Sequence, residues 1–171
     1  MLEKAQSMLP KGIVFKIYDG YRPLTIQKAL WDYFIEIVRE NNPKDTEEEI
    51  KRKTSYFVSE PSYNIERPSL HNTGGAVDLS LVYEDGDSLD MGTSIDSFMQ
   101  TAWTAYYEKS NSNIEARKNR RMLYFAMLDA GFTNLPSEWW HFDYGTKFWS
   151  HFTGKPAIYK GIADIKLPGQ I

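Results

Sequence analysis

Apolar and polar positions alternate first over residues 13–18, Ile-Val-Phe-Lys-Ile-Tyr, where Ile13, Phe15 and Ile17 share one face and predict a mostly buried strand. The run ends in Asp19-Gly20-Tyr21-Arg22-Pro23. Proline disfavours the α region for the residue before it, so Arg22 is expected to be extended, at a rigid corner. The period then changes from two to 3.6. Ile26, Leu30, Tyr33, Phe34 and Ile37 recur at helical spacing up to Asn41-Asn42-Pro43 and predict a helix over residues 25–40. Thr46 with Glu49 three positions on reads as a capping box, and the basic run Lys51-Arg52-Lys53 behind the acidic first turn suits the helix dipole of a short surface helix. Residues 59–75, rich in Ser, Pro, Asn and Gly, predict a loop that leads into a strand over Ala76–Tyr83 and a turn at Asp85-Gly86-Asp87. Residues 95–109 carry a weak helical pattern, and Asn113 to Ala130 a clearer one closed by Gly131 at the C′ position. Trp139-Trp140-His141-Phe142 reads as a buried strand, whereas 145–171 shows no clear period.

This order of elements, without repeats or a flexible linker, predicts an α+β fold: a single domain over 1–171 with a small, mostly antiparallel sheet and flanking helices. A chain of 171 residues at 42% hydrophobic and 15% aromatic can bury a substantial core. Twenty Lys and Arg against 23 Asp and Glu leave a formal charge of −3, which argues against nucleic acid or anionic lipid as partner. No apolar run approaches the roughly 20 residues that span a bilayer. The start Met1-Leu2-Glu3-Lys4 lacks the order of a signal peptide, so a soluble cytoplasmic protein is expected, or a periplasmic or exported one if a leader has been removed. The absence of cysteine excludes disulfides, thiolate metal sites and cysteine nucleophiles, and any metal must be held by His, Asp or Glu.

The three histidines are His71, His141 and His151. His71 and Asp78 flank Gly74-Gly75, where a tight reversal could bring a loop imidazole and a strand-start carboxylate onto one ion; the same spacing also fits a loop-capping histidine and a turn aspartate. Glu138 stands three residues before His141, and in a flat strand the two would face opposite sides. A bend near Pro136-Ser137 or a twisted edge would join them in one site; the plainer reading is a core histidine with a surface glutamate. Arg22 fits a surface ion pair, and Asp96 the dipole of the helix placed at 95, as readily as either fits a catalytic part. His151 matches no motif and reads as a satisfied structural histidine, and the basic group 117–121 as a solvated helix face, with pairing of Arg120 and Arg121 to acidic neighbours inside the fold as the alternative. Taken together, two histidines, an aspartate, a spare glutamate and a pre-proline arginine make up a hydrolytic metal site: three ligands, a base and an electrophile. No nucleophile elbow, phosphate loop or dinucleotide fingerprint competes.

Asp-Gly-Tyr-Arg-Pro (19–23), Ser-x-His-x-x-Gly-x-Ala-x-Asp (69–78), Met-Gly-Thr-x-x-Asp (91–96), Asn-Arg-Arg (119–121) and Glu-Trp-Trp-His (138–141) follow one another along the chain. In this order the set resembles the VanX-type D-alanyl-D-alanine dipeptidases, within the wider group of peptidoglycan-directed zinc D,D-peptidases. The resemblance implies a hedgehog/D,D-peptidase-like fold with one Zn2+ at the sheet, held by His71, Asp78 and His141. It implies Glu138 as general base on a metal-activated water, Arg22 as the group that steadies the tetrahedral intermediate, and Ser69 and Asp96 as contacts to the dipeptide, Asp96 facing its ammonium. The reaction so implied is hydrolysis of D-alanyl-D-alanine to two D-alanines. A D,D-carboxypeptidase on the same frame is the alternative, and a non-catalytic zinc-binding protein a more distant one. Members of the group carry some tens of residues before the position of Met1, including part of the substrate-site wall, so the expectation is either that an N-terminal segment is missing here or that the pocket is more open than is typical.

Overall fold

The computed structural model describes residues 1–97, 99–109 and 112–162. Strand β1 (Ile13–Asp19) leads to helix α2 (Leu24–Asn41), which follows the short helix α1 (Leu2–Gln6) in chain order, and α3 (Glu47–Thr54) comes next. Strand β2 (Ala76–Tyr83), helix α4 (Ile114–Ala130), strands β3 (Thr133–Asn134) and β4 (His141–Asp143) and helix α5 (Lys147–Thr153) complete the set. The four strands form one antiparallel sheet in the order β1-β2-β4-β3, with helices around it, so the α+β architecture is the one expected.

The sheet is organised by β2, whose residues 76–82 are all buried, polar Asp78 and Ser80 included. It pairs with β1 from Ile13↔Tyr83 to Asp19↔Asp78, and with β4 from Ala76↔Asp143 to Asp78↔His141. An irregularity between Ile17 and Asp19 shifts the register of β1 where it approaches Asp78. Leu79 and Leu81 of β2 pack with Leu123 and Met127 of α4 and with Phe142, all fully buried. Each such side chain contributes about 1.5–3 kcal/mol of burial free energy.

The predicted caps form. Thr46 accepts from the Glu49 N–H and the Glu49 carboxylate accepts from the Thr46 N–H at 2.8 Å, and Asn113 caps α4 through the Ala116 N–H at 2.9 Å. Gly131 ends α4 in the left-handed region at φ 105°. Several expectations are corrected. β1 is an edge strand rather than a mostly buried one: among the described residues only its Ile13 and Phe15 lean on the core, and Ile17 is 56% exposed. The helix expected over 95–109 does not form, and the described part of this stretch holds two single 3-10 turns, Gln100–Ala102 and Tyr106–Glu108. The strand expected over 139–142 starts only at His141, because residues 135–140 are spent on a turn. In the aperiodic tail, Thr146 caps the seven-residue α5; residues 163–171 lie outside the described residues. His151 is exposed on α5, edge-on to Phe152. Within the basic group, Arg120 is buried and not solvated. No helix among the described residues is long and apolar enough to cross a membrane.

Candidate active site

Antiparallel pairing sets Asp78 of β2 directly opposite His141 of β4, so two of the expected ligands meet through sheet register. The third, His71, opens a 3-10 turn closed by Gly74 at φ 70°. At the next residue a side chain is excluded by space: a Cβ on Gly75 would lie 2.6 Å from the Tyr144 carbonyl oxygen. The two glycines thus supply the reversal that turns His71 back toward β2. His71 Nε2 lies 3.2 Å from Asp78 Oδ2 and His141 Nδ1 3.0 Å from Asp78 Oδ1, while the two ring nitrogens are 3.1 Å apart. One donor atom from each residue falls within 4.8 Å of the others, and all three residues are buried.

The outer ring nitrogens orient the two imidazoles. His71 Nδ1 donates to the Gly20 carbonyl at 2.9 Å, an atom that can only accept, and His141 Nε2 donates to Asp143 Oδ2 at 2.9 Å. The inner nitrogens are thereby left to face the Asp78 carboxylate, as in metal sites whose histidines are oriented from behind by a carboxylate or carbonyl. Burial alone would raise the Asp78 carboxyl, but the adjoining imidazoles of His141 and His71 outweigh it and hold the group well below the usual carboxylate range. Burial would likewise lower His141, yet Asp143 and Asp78 on either side push it up to about 10. Two carboxylates around one buried imidazole make this a place that demands positive charge.

Glu138 and Arg22 border this trio. The chain bends over 135–141 as the spacing required: Leu135 N–H donates to the His141 carbonyl, and the Asn134 amide donates to the carbonyls of both Glu138 and His141 at 3.0 Å. Glu138 Oε2 consequently lies 3.8 Å from His141 Nδ1, on the same side as the expected ligands. Its carboxyl is raised by burial and by the Asp78 charge, against the pull of His141. At the predicted corner, the Arg22 N–H donates to the His71 carbonyl at 3.1 Å. Its guanidinium donates to Asp19 Oδ2 at 2.7 Å and to Gln27 Oε1 at 3.1 Å, and lies 3.8 Å from Asp78 Oδ2.

Residues 1–157 match the Peptidase M15 family, described as D-ala-D-ala dipeptidase. The chain belongs to this family. It is similar to the D-alanyl-D-alanine dipeptidase of Synechocystis sp. (strain ATCC 27184 / PCC 6803 / Kazusa), 30% identical over 149 residues that cover 78% of this chain and 60% of that protein. The D-alanyl-D-alanine dipeptidase of Escherichia coli (strain K12) is 31% identical over 134 residues, 77% of this chain and 55% of that one. That of Enterococcus faecium is 26% identical over 154 residues, 83% and 67% of the two chains. The chain therefore spans about three-fifths of the length of the first two relatives. Among solved structures, the vancomycin-resistance D,D-pentapeptidase VanY from a VanB-type cassette, in complex with Zn(II), aligns over 91% of this chain and 74% of its own, at 15% identity and a TM-score of 0.41.

In this M15 family member, Arg22, Ser69, His71, Asp78, Asp96, Glu138 and His141 all line one cleft of about 380 Å3. The same cleft is lined by Leu30, Tyr33 and Phe34 of α2 and by Phe57 and Val58 after α3. The Ser69 hydroxyl is buried there without a hydrogen-bond partner among the described residues. Asp96 sits at the rim with φ 60°, and partial withdrawal from water, then the Asp78 charge, raise its carboxyl. Asp96 is thus not the start of a helix, as its surroundings in the sequence suggested. A larger groove of about 780 Å3 along α4 contains none of these seven residues. Sequence reasoning missed the supporting residues Asp19, Gln27, Asn134 and Asp143. For Gln27 a signal existed: a polar residue one turn into α2 on the side that buries Leu24 and Trp31, its amide donating to the Ser59 carbonyl at 2.6 Å.

Proposed function

We propose that this chain carries the catalytic machinery of a zinc D,D-dipeptidase that hydrolyses D-alanyl-D-alanine to two D-alanines. The observation that carries this reading is the convergence of two oriented imidazole nitrogens and the Asp78 carboxylate on one point, with Glu138 and Arg22 beside it. Such a nitrogen, nitrogen, oxygen donor set, backed by Gly20 and Asp143, fits a zinc ion. His71, Asp78 and His141 would hold it. Zinc, when bound, supplies Lewis acidity toward the attacking water and the scissile carbonyl.

The residues of the chain do the rest. Glu138, its carboxyl raised by burial, takes a proton from the attacking water and delivers it to the departing amine as the C–N bond breaks. Arg22 faces the negative charge that builds on the carbonyl oxygen, and Asp19 and Gln27 hold its guanidinium in place before that charge appears. Asp96 pairs with the free ammonium of the dipeptide, which disfavours longer chains, and the unpartnered Ser69 hydroxyl bonds the substrate.

The test is release of free D-alanine from D-alanyl-D-alanine and, separately, from a pentapeptide ending in the same dipeptide, using zinc-loaded protein, a chelated control and Glu138→Ala. Zinc-dependent cleavage of the dipeptide alone, lost in the variant, is expected. Release from the pentapeptide would move the chain to the carboxypeptidase reading, and no release from either would refute both.

A further inference from the structure

We infer that Arg120 is a positioning residue for substrate recognition: from α4 it clamps both ends of the stretch that carries Asp96. The inference rests on the dipeptidase reading, in which Asp96 meets the substrate ammonium. Arg120 is 4% exposed, and among the described residues no carboxylate forms a direct ion pair with it, Asp90 acting on it only at longer range. Its guanidinium donates instead to the Met91 carbonyl at 2.8 Å and the Thr93 hydroxyl at 3.4 Å on one side of Asp96. On the other side it donates to the carbonyls of Thr101 at 2.8 Å and Trp103 at 2.9 Å. It lies between two aromatic faces, 4.7 Å from the Tyr107 ring and 5.4 Å from the Trp139 ring. Burying a cation without a direct ion pair is costly, and here four of its five N–H donors go to one segment, to three carbonyls and a hydroxyl.

That segment needs an outside anchor. No helix or strand is present among the described residues between Met91 and Met99, and Asp96 is the one described residue other than glycine at positive φ, a conformation that persists only where its surroundings hold it. The same clamp reaches the turn of the general base. Trp139, next to Glu138, donates through Nε1 to the Thr93 hydroxyl at 2.8 Å and through its backbone N–H to the Ala102 carbonyl at 3.0 Å. Arg120 therefore ties Asp96 to the rigid α4 and to the Glu138 turn together. A lysine keeps the charge but cannot present four directed donors in a plane.

The test is a double-mutant cycle of Arg120→Lys and Asp96→Asn in zinc-loaded protein, reading kcat and KM for D-alanyl-D-alanine alongside zinc affinity. Arg120→Lys should raise KM about tenfold in the wild-type background but less than about twofold in the Asp96→Asn background, because the two act through one contact. Zinc affinity should stay unchanged. Equal effects in both backgrounds, an unchanged KM or a loss of zinc would each overturn the inference and leave Arg120 a residue of general stability. Thr93→Val supplies the same cycle should Arg120→Lys fail to fold, with a KM rise of about threefold that vanishes beside Asp96→Asn. A wild type without turnover sinks the dipeptidase reading and this inference with it, whereas an active wild type with additive effects sinks the inference alone.

Discussion

Asp78 and His141 reach the cleft from neighbouring strands in register, while Asp96 reaches it from a stretch without regular structure, at positive φ and tied down by side chains of other elements. The ligand side draws its precision from backbone hydrogen bonds that any sequence with this strand pattern would make. Its histidines are then aimed from behind by Gly20 and Asp143. The substrate side has no such ladder, and its geometry depends on particular side chains: Arg120, Trp139 and Tyr107, whose hydroxyl donates to the Gly92 carbonyl at 3.1 Å. In the proposed dipeptidase, metal binding and substrate recognition are accordingly separable, and substitutions should sort by the side they fall on.

The strongest way to break this separation is at Glu138, which borders both sides. Glu138→Gln should leave one zinc bound and cut kcat by about 10²–10⁴. Loss of the metal along with the rate would show that the glutamate belongs to the ligand side instead. A smaller effect is expected at Asp143→Asn, where the amide oxygen can still accept from His141 Nε2 but the charge is gone. Zinc affinity should fall by about 10–100-fold, read by competition with a chelator, with KM for the dipeptide unaffected.

The smallest effect lies in the pH dependence of the metal-free protein. His141 is raised to about 10 from an ordinary 6.5, so its contribution to stability is complete below about pH 6.5 and fades as the pH climbs toward 10. Asp78, depressed, contributes above its ordinary 3.8 and loses that contribution only as the pH falls through its lowered value. Between pH 6.5 and 9 the unfolding temperature of the metal-free protein should therefore fall, by on the order of a few degrees. A flat or rising profile would contradict the charge arrangement described around His141.

Much of the ligand side was legible before the structure because its determinants are local. Gly74-Gly75 next to His71, an alternating strand through Asp78 and the bend after Pro136 are each a few residues long. The same holds for Thr46 and Asn113 as caps and Gly131 as a helix end. The residues that escaped act across distance in sequence. Asn134 bridges a turn, Asp143 acts through an imidazole, and Arg120 spans 17 to 29 positions to reach Trp103 and Met91. A run such as 95–109 has the composition of a weak helix, and nothing within it records that its carbonyls are claimed by an arginine on another element. Likewise Ile17 alternates as a buried position would, because alternation records a face of a strand and not whether another strand or helix covers it.

The most direct test of the division between the two sides is a zinc titration against a chromophoric chelator, run on the wild type, Asp78→Asn and Asp96→Asn, with dipeptide turnover measured on the same samples. One equivalent of zinc on the wild type and on Asp96→Asn, none on Asp78→Asn, and a raised KM in Asp96→Asn alone among the zinc-loaded proteins is the predicted result. Tight zinc binding that survives Asp78→Asn, or is lost in Asp96→Asn, would contradict it.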